Sequence, residues 1–266
     1  MIDLTGGDFM DSFGLVLAGG GTRGAYQIGV WKALLEAEIP VCAVAGVSIG
    51  ALNGALFCQG DWQIANQAWH EVSVTNLVDL PEPLPVPDNV FDRRNLPMLT
   101  RLVIQEKGLD TTPLRRQMDH YLDEMRLYTS PVDFGVLAYS LTDMKPVSVF
   151  CKELPPGKIF DYILASASLP LFRTVRIDNK RLVDGGVYNN RPTEMLIDRG
   201  FRRIIEVEVG GIGLVRSYDP AGAEIVSIKP EKPIGGILDT RHEMIDANIR
   251  QGYSDAMQVL KRHRLA

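Results

Sequence analysis

Residues 13–24 read FGLVLAGGGTRG, and residues 41–50 read VCAVAGVSIG. In both segments a run of apolar residues ends at glycines, a pattern typical of a buried strand that turns into a helix. Apolar residues with helical spacing lie between the first segment and Pro40, and a run of small residues follows the second. Two apolar strands that each lead into a helix indicate a parallel sheet with both faces covered. The sequence therefore predicts an α/β fold.

The remainder of the chain continues this alternation. Strands are predicted at 132–139, 146–150, 181–183, 203–209 and 224–228, and helices at 62–70, 112–121, 158–168, 193–199 and 241–262. The segment 79–92 differs, because prolines at alternate positions exclude a helix or an interior strand. A surface loop is one interpretation, and a lid that continues through the apolar residues 96–104 is the other. No linker divides the sequence, so we expect a single domain over residues 1–266.

Composition limits the classes of function. The chain has 266 residues, of which 45% are hydrophobic and 23% charged, and its net charge is −5. These values are ordinary for a globular protein, and the acidic balance argues against nucleic acid as a partner. The apolar run 41–47 is too short to cross a bilayer, and residues 1–12 lack the features of a signal peptide. Three cysteines without metal-type spacing agree with a cytoplasmic protein that has no metal site.

A serine lies at the centre of the second glycine turn, Gly46-Val47-Ser48-Ile49-Gly50. A Gly-x-Ser-x-Gly sequence between a strand and a helix projects the hydroxyl from the carboxyl edge of the sheet, because the glycines remove clashes with Cβ atoms. The amino end of the following helix favours negative charge beside this hydroxyl. The pattern indicates a nucleophile, and a serine that only caps the helix is the alternative.

The first glycine run permits two interpretations. Gly19-x-Gly21-x-x-Gly24 fits the dinucleotide-binding fingerprint, but that site needs an acidic residue at the end of the next strand, where the sequence reads Ala45-Gly46-Val47-Ser48. Three consecutive glycines also present unhindered backbone N–H groups, which suit an oxyanion hole beside a nucleophile. The second interpretation agrees better with the nearby serine. A non-catalytic protein that binds a nucleotide with this loop stays the alternative.

A nucleophilic serine needs a base to accept its proton. The four histidines, His70, His120, His242 and His263, have no sequence context that favours catalysis, although His242 follows in the chain order of a Ser-Asp-His esterase triad. Asp184 is the stronger candidate, because it ends a predicted strand at an edge of the sheet and precedes two glycines. A turn-forming aspartate is the alternative interpretation of an Asp-Gly sequence.

Three of these motifs together resemble the patatin-like phospholipases. Their order matches an oxyanion motif at Gly19-Gly20-Gly21-Thr22-Arg23-Gly24, a serine motif at Gly46-Val47-Ser48-Ile49-Gly50 and an aspartate motif at Asp184-Gly185-Gly186. The segment Ala165-Ser166-Ala167-Ser168-Leu169-Pro170 resembles the one that precedes the aspartate in that family. The likeness covers residues 13–210. It implies a three-layer α/β/α sandwich with a mostly parallel central sheet.

The resemblance also implies a mechanism without histidine. Ser48 attacks an ester carbonyl and Asp184 takes its proton, while backbone N–H groups of residues 20–22 hold the oxyanion and Arg23 shapes the loop. The resemblance implies lipid esters as substrates, with phospholipids or lysophospholipids expected first, and a dyad that needs no cofactor or metal ion. Transient contact at the periphery of membranes is a separate expectation that the motifs do not carry. The segment 79–111 matches none of the motifs and is assigned as a loop or lid insert.

Overall fold

The computed structural model describes residues 12–79, 93–95, 97–101 and 108–266. Within these residues eight strands form one sheet. The strands are β1 (Phe13–Leu17), β2 (Val41–Val47), β3 (Asp133–Ser140), β4 (Lys145–Phe150), β5 (Val175–Ile177), β6 (Lys180–Asp184), β7 (Arg203–Val207) and β8 (Glu224–Ile228).

The helices lie between and after these strands. They are α1 (Ala25–Glu36), α2 (Ile49–Gln59), α3 (Trp62–His70), α4 (Val74–Leu77), α5 (Thr112–Tyr121), α6 (Glu124–Thr129), α7 (Ile159–Ser166), α8 (Glu194–Asp198) and α9 (His242–Arg262). Residues 97–101 are also helical. Short 3-10 helices lie at Gly21–Gly24, Arg93–Asn95, Cys151–Glu153 and Gly185–Val187.

The centre of the sheet is parallel. β2, β1, β7 and β8 are neighbours in this order and run in one direction, and β3 runs parallel to β2 on its other side. β1 and β7 are almost entirely buried, as expected for parallel strands that are covered on both faces. β4 and β6 run antiparallel to β3, and β5 antiparallel to β6. This confirms the predicted α/β class with a mostly parallel sheet.

Two strands share one edge of β3. β4 pairs with residues 135–140 of β3, so β2 and β6 both use the opposite edge. β2 pairs with the first part of β3 and ends with Val47 opposite Leu137, while β6 pairs with the last three residues and ends with Asp184 opposite Ala138. Because β6 runs against β2, the carboxyl ends of the two strands meet end to end beside β3.

Helices cover both faces of the sheet. α1, α2, α7 and α9 contribute to the main apolar core on one face, to which Leu15 and Val44 also belong. α8 packs on the other face with Val16 and Ala45. Successive residues of a strand point to opposite faces, so neighbouring positions of β1 and of β2 serve different layers. The arrangement is the expected three-layer α/β/α sandwich.

Most predicted elements are confirmed. β2, β8, α3 and α5 have the predicted bounds, whereas α4, α6 and β5 were not predicted, because elements this short carry too few residues for a periodic pattern. Much of the predicted loop or lid insert, 79–111, lies outside the described residues, and a single domain over 1–266 stays a prediction. In the described part of the chain, no helix has the length and apolar character needed to cross a membrane.

Candidate active site

Ser48 lies in the turn between β2 and α2 with an unusual backbone conformation. β2 ends at Val47 and α2 begins at Ile49, and Ser48 between them has φ 56° and ψ −127°. A Cβ atom on Gly46 would lie 2.2 Å from the carbonyl oxygen of Gly50, so this turn is too tight for a larger residue at Gly46. Positive φ at a residue with a side chain costs on the order of 1–3 kcal/mol and is concentrated at functional sites.

Asp184 approaches this serine from the end of β6. Its side chain is 2% exposed, and Oδ1 accepts a hydrogen bond from the Gly186 N–H at 2.7 Å. Oδ2 is buried and forms no hydrogen bond of ordinary geometry with any described residue. Burial raises the pKa of the Asp184 carboxyl to about 6, although the nearby Ser48 hydroxyl and the Gly186 N–H both act to lower it.

The two side chains are therefore neighbours at the junction of β2 and β6. The sequence predicts Asp184 at an edge of the sheet, whereas the structure has it where two strands meet end to end. The two groups lie close enough for the Ser48 hydroxyl to act on the carboxyl and lower its pKa.

Two buried serines at the end of α7, Ser166 and Ser168, hold both backbones at the junction. The Ser166 hydroxyl accepts a hydrogen bond from the Ser48 N–H at 2.9 Å and donates to the Leu137 carbonyl at 2.6 Å. The Ser168 carbonyl accepts the Asp184 N–H at 2.9 Å. The same short segment thus fixes both candidate catalytic residues. The sequence alone gave these serines no role, and their position in the family-like segment before Asp184 was the signal available.

The first glycine run passes directly beside Ser48. A Cβ atom on Gly19 would lie only 3.0 Å from the Ser48 Cβ and 2.3 Å from an oxygen of Asn190. Asn190 binds Gly19 in both directions, because its carbonyl accepts the Gly19 N–H at 3.3 Å and its side-chain amide donates to the Gly19 carbonyl at 3.0 Å. The close approach requires glycine at this position.

The backbone N–H groups of residues 20–22 are not equivalent. The Thr22 N–H donates to the Ile237 carbonyl at 2.8 Å and is therefore already used. Within the described part of the chain, the N–H groups of Gly20 and Gly21 form no hydrogen bond. Of the three N–H groups predicted as oxyanion donors, only those of Gly20 and Gly21 are left unengaged by the described residues.

Segments from the second half of the chain fix the outer side of the glycine loop. Arg23 donates from Nε to the Gly235 carbonyl at 2.8 Å and from Nη1 to the Gly210 carbonyl. The Thr22 hydroxyl donates to the Gly236 carbonyl at 3.2 Å. With its guanidinium engaged by carbonyl groups, Arg23 has the contacts that a loop-shaping residue needs.

A buried amide pair fixes the inner side of this loop. Gln27 donates to the Ala18 carbonyl at 2.7 Å, and Asn53 donates to the Gly24 carbonyl at 2.9 Å. Asn53 also donates to the Gln27 side chain and accepts a hydrogen bond from Trp69. The carbonyls before and after the glycine run are thus held by one network. No motif in the sequence indicated it.

No described histidine interacts with Asp184, whose carboxyl contacts are Ser48 and Gly186. His242 is exposed at the start of α9, and His70 pairs with Asp246 at 2.8 Å. The structure therefore does not form the Ser-Asp-His triad that was considered from chain order.

An apolar cavity opens at Ser48 and continues between α2, α3 and α5. The part next to Ser48 is also lined by residues of the glycine loop, and the part farther from Ser48 has a volume of about 100 Å³. The two parts share the side chains of Ile49, Leu52, Trp69, Val72, Leu77 and Leu114. Of the apolar residues 96–104, predicted above as the continuation of a lid, Leu99 is buried in a small cluster with Phe172 and Leu238, which line the part of the cavity next to Ser48. Residues 96 and 102–104 lie outside the described residues.

Comparison with known proteins gives one consistent family. The model of the family described as Patatin-like phospholipase matches residues 15–197, a range that contains both Ser48 and Asp184. The chain is 29% identical to neuropathy target esterase sws of Drosophila melanogaster over 215 aligned residues. The aligned region covers 75% of this chain and 13% of that protein. The chain thus spans only a small part of the length of this relative.

Solved structures share the fold. VipD from Legionella pneumophila has a TM-score of 0.59 at 15% identity, over 95% of this chain and 67% of VipD. Human GIVD cytosolic phospholipase A2, solved with methyl gamma-linolenyl fluorophosphonate inhibitor and terbium chloride, has a TM-score of 0.53 at 11% identity, over 97% of this chain and 59% of that chain. Since the family model matches more than half of the sequence, the chain belongs to the patatin-like phospholipase family, a family of lipid ester hydrolases.

Proposed function

We propose that the protein is a serine acyl hydrolase that cleaves ester bonds of lipids, with Ser48 as the nucleophile and Asp184 as its base. The observation that carries the proposal is the Ser48 hydroxyl on a strained turn beside a buried carboxyl whose pKa is raised to about 6. A carboxyl of ordinary pKa, near 4, is a weak base for a serine hydroxyl. Burial makes Asp184 a better proton acceptor while leaving it mostly ionised at pH 7.

The proposed reaction has two steps. Asp184 accepts the Ser48 proton as the serine oxygen attacks the ester carbonyl, and the same proton then passes to the departing alcohol. Water next attacks the acyl-serine, giving its proton to Asp184, which returns it to Ser48 as the free acid leaves. The N–H groups of Gly20 and Gly21 stabilise the oxyanion in both steps, at about 3–4 kcal/mol for one such donor in a comparable site.

The apolar cavity supports a lipid acyl chain as the group bound beside Ser48. It begins at the nucleophile and is lined by aliphatic and aromatic side chains. Burial of each methylene contributes about 0.8 kcal/mol, so a longer chain gains binding energy as far as the cavity extends. A phospholipid or lysophospholipid fits this proposal, with the acyl chain in the cavity and the headgroup outside it.

A bulky side chain in the part of the cavity farther from Ser48 is expected to shorten the preferred acyl chain. Ala68 on α3 lines only that part, so Ala68→Phe should lower kcat/KM for nitrophenyl decanoate about tenfold, equivalent to roughly two methylenes, and leave nitrophenyl butyrate unchanged. Rates for a series of nitrophenyl esters from four to sixteen carbons test both the activity and the direction of the cavity.

Gln63→Phe is the matched control, because Gln63 lies on the exposed side of α3 and not in the cavity. It should retain the chain-length profile of the original protein. Absence of hydrolysis across the whole ester series would contradict the proposed function. Hydrolysis with an unchanged profile in Ala68→Phe would instead move the acyl site to another surface.

Loss of the Ser166 hydroxyl is expected to disturb the nucleophile while the chain stays folded. Ser166→Ala leaves the Ser48 N–H and the Leu137 carbonyl without their shared partner, so kcat should fall roughly 10- to 100-fold with little change in KM. Steady-state kinetics with nitrophenyl butyrate measure the two constants separately.

Ser168→Ala provides the comparison. Ser168 is equally buried, but its hydroxyl donates only to the Leu164 carbonyl, and its own carbonyl still binds Asp184 after the substitution. It should lower the thermal midpoint by an amount similar to Ser166→Ala and leave kcat near its original value. Equal losses of kcat in the two variants would assign Ser166 a merely structural role.

A further inference from the structure

A short loop next to the candidate site exposes apolar side chains. We call residues 210–216, which follow β7, the rim loop. Ile212, Leu214 and Val215 in this loop are 71%, 59% and 58% exposed. Large aliphatic side chains this close together on a surface indicate that something other than water contacts them.

The backbone of the rim loop is fixed to both turns of the candidate site. The Leu214 N–H donates to the Gly186 carbonyl at 3.0 Å, and the Leu214 carbonyl accepts the Asn190 N–H at 2.6 Å. Gly211 lies against Gly19, because a Cβ atom on Gly211 would be 2.1 Å from the Gly19 carbonyl oxygen. These contacts leave the aliphatic side chains on the outside, directly beside the glycine loop and the aspartate turn.

Other exposed apolar side chains do not form such a group. Leu35 at the end of α1 is 54% exposed and Met125 in α6 is 62% exposed. Each precedes the start of a parallel strand, β2 or β3, and so lies at the opposite end of the sheet from the candidate site. Met144, 69% exposed, is a single residue in the turn between β3 and β4. Single exposed residues of this kind are normal on protein surfaces.

The size and charge of the rim loop favour a lipid surface over a protein partner. A stable protein interface buries about 800 Å² on each partner, far more than three aliphatic side chains present. Insertion into lipid needs no minimum area, since its strength grows with each apolar group that is buried. Residues 209–215 carry no charge that insertion would have to bury. The exposed Arg216 that follows them packs its guanidinium over the Tyr188 ring at 4.5 Å.

We propose that the rim loop docks the protein on a lipid surface, with Ile212, Leu214 and Val215 inserted among the lipids. Val187, 37% exposed, directly follows Gly186, whose carbonyl accepts the Leu214 N–H of the rim loop. That the docked lipids supply the substrate of Ser48 rests on the function proposed above. The docking itself is a binding event that is measured without any hydrolysis.

The test compares vesicle binding by three proteins. Sedimentation with phosphatidylcholine vesicles should recover the Ser48→Ala protein, which cannot consume the lipid. In the same Ser48→Ala background, the three substitutions Ile212→Ser, Leu214→Ser and Val215→Ser together should lower the vesicle partition constant by at least ~10-fold. The control, Leu35→Ser with Met125→Ser in that background, should leave the partition constant unchanged. Binding of the original surface should persist at 0.5 M salt, because insertion of aliphatic groups is not screened.

Activity measurements separate docking from the proposed function. With Ser48 present, the triple serine variant should keep its rate on dissolved nitrophenyl butyrate and lose its rate on vesicle lipid. Unchanged vesicle binding in the triple variant would overturn the docking proposal. If the triple substitution instead abolished a dimer of the protein and left vesicle binding intact, the rim loop would be a dimer contact and the proposal would also be overturned. Vesicle binding that depends on the rim loop without hydrolysis of any ester would uphold docking and reject the function.

Discussion

Replacing Ser48 by alanine is expected to abolish ester hydrolysis, with a loss in kcat of at least ~10⁴-fold. The Ser48 hydroxyl is the nucleophile in the proposed reaction, and the oxyanion donors and the cavity cannot replace it. A fluorophosphonate probe should label the original protein on the peptide that contains Ser48, and Ser48→Ala should not be labelled. Initial rates with nitrophenyl butyrate and peptide mapping by mass spectrometry provide the two measurements.

Ser130→Ala is a matched control for this experiment. Ser130 is also a buried serine, but its hydroxyl donates to the Cys58 carbonyl at 2.7 Å, before β3 and away from the β2–β6 junction. This variant should keep both its labelling and its turnover. Labelling that maps to another serine, or turnover that survives in Ser48→Ala, would reject Ser48 as the nucleophile.

A glycine at the same position separates activity from stability. Ser48 has φ 56°, which glycine adopts without strain. Ser48→Gly should therefore be as inactive as Ser48→Ala, but its free energy of unfolding should exceed that of Ser48→Ala by about 1 kcal/mol. For a chain of this size that corresponds to a rise of roughly 2–4 °C in the melting temperature. A higher melting temperature with no activity would mean that the backbone strain at Ser48 is maintained for its chemical role.

The elements around Ser48 were predictable because their causes are local. The run 41–47 is apolar throughout, and glycines on either side of Ser48 permit a turn that other residues would block. Both features lie within ten residues of the serine. β2 and the start of α2 were therefore predicted to within a residue.

The contacts that complete the candidate site join distant parts of the chain. The sequence gives no indication that β6 shares an edge of β3 with β2, since pairing between strands depends on the whole sheet. Ser166 binds Ser48 across 118 positions, and Ile237 uses the Thr22 N–H across more than 200. The hydrogen bond that engages the Thr22 N–H and the contact between Ser166 and Ser48 follow only from the tertiary structure.

The cavity could not be predicted from the sequence either. Its shared lining comes from α2, α3, α4 and α5 and their connections, and each contributes residues that equally suit an ordinary core. Apolar spacing on a helix indicates that a face is buried, but it does not tell whether protein or a ligand covers it. The apolar stretch at 96–104 was therefore as good a candidate from sequence as the helices that line the cavity.

Replacing Asp184 by asparagine is expected to lower kcat by roughly 10³-fold, within the range of a lost general base. Asparagine keeps the shape of the side chain and can still accept the Gly186 N–H, but it cannot take the Ser48 proton. Asp178→Asn is the matched control, because Asp178 is an exposed carboxylate in the turn before β6 that pairs with Lys158 at 3.5 Å. It should leave kcat unchanged.

The pH profile identifies which group acts as the base. Since the pKa of Asp184 is raised to about 6, kcat/KM of the original protein should rise tenfold per pH unit below pH 6 and become constant above pH 7. The residual activity of Asp184→Asn should lack this rise. A rise near pH 6 that persists in Asp184→Asn would assign the base to another residue.

The raised pKa of Asp184 should make stability fall with rising pH, whereas activity rises. An exposed carboxylate of ordinary pKa would not have this effect on stability. Its pKa in the folded protein, about 6, exceeds the value near 4 in an unfolded chain, so folding disfavours its ionisation. The free energy of unfolding of the original protein should therefore fall as pH rises from 4 through 6, by on the order of 2–3 kcal/mol from this group. Asp184→Asn has no carboxyl at this position and so does not lose stability in this way. Urea unfolding at pH 4 and pH 8 should show that the free energy of unfolding of Asp184→Asn, relative to that of the original protein, increases with pH. A stability difference that does not change with pH would mean that Asp184 ionises as freely as an exposed carboxylate, and then burial could not be what makes it a base.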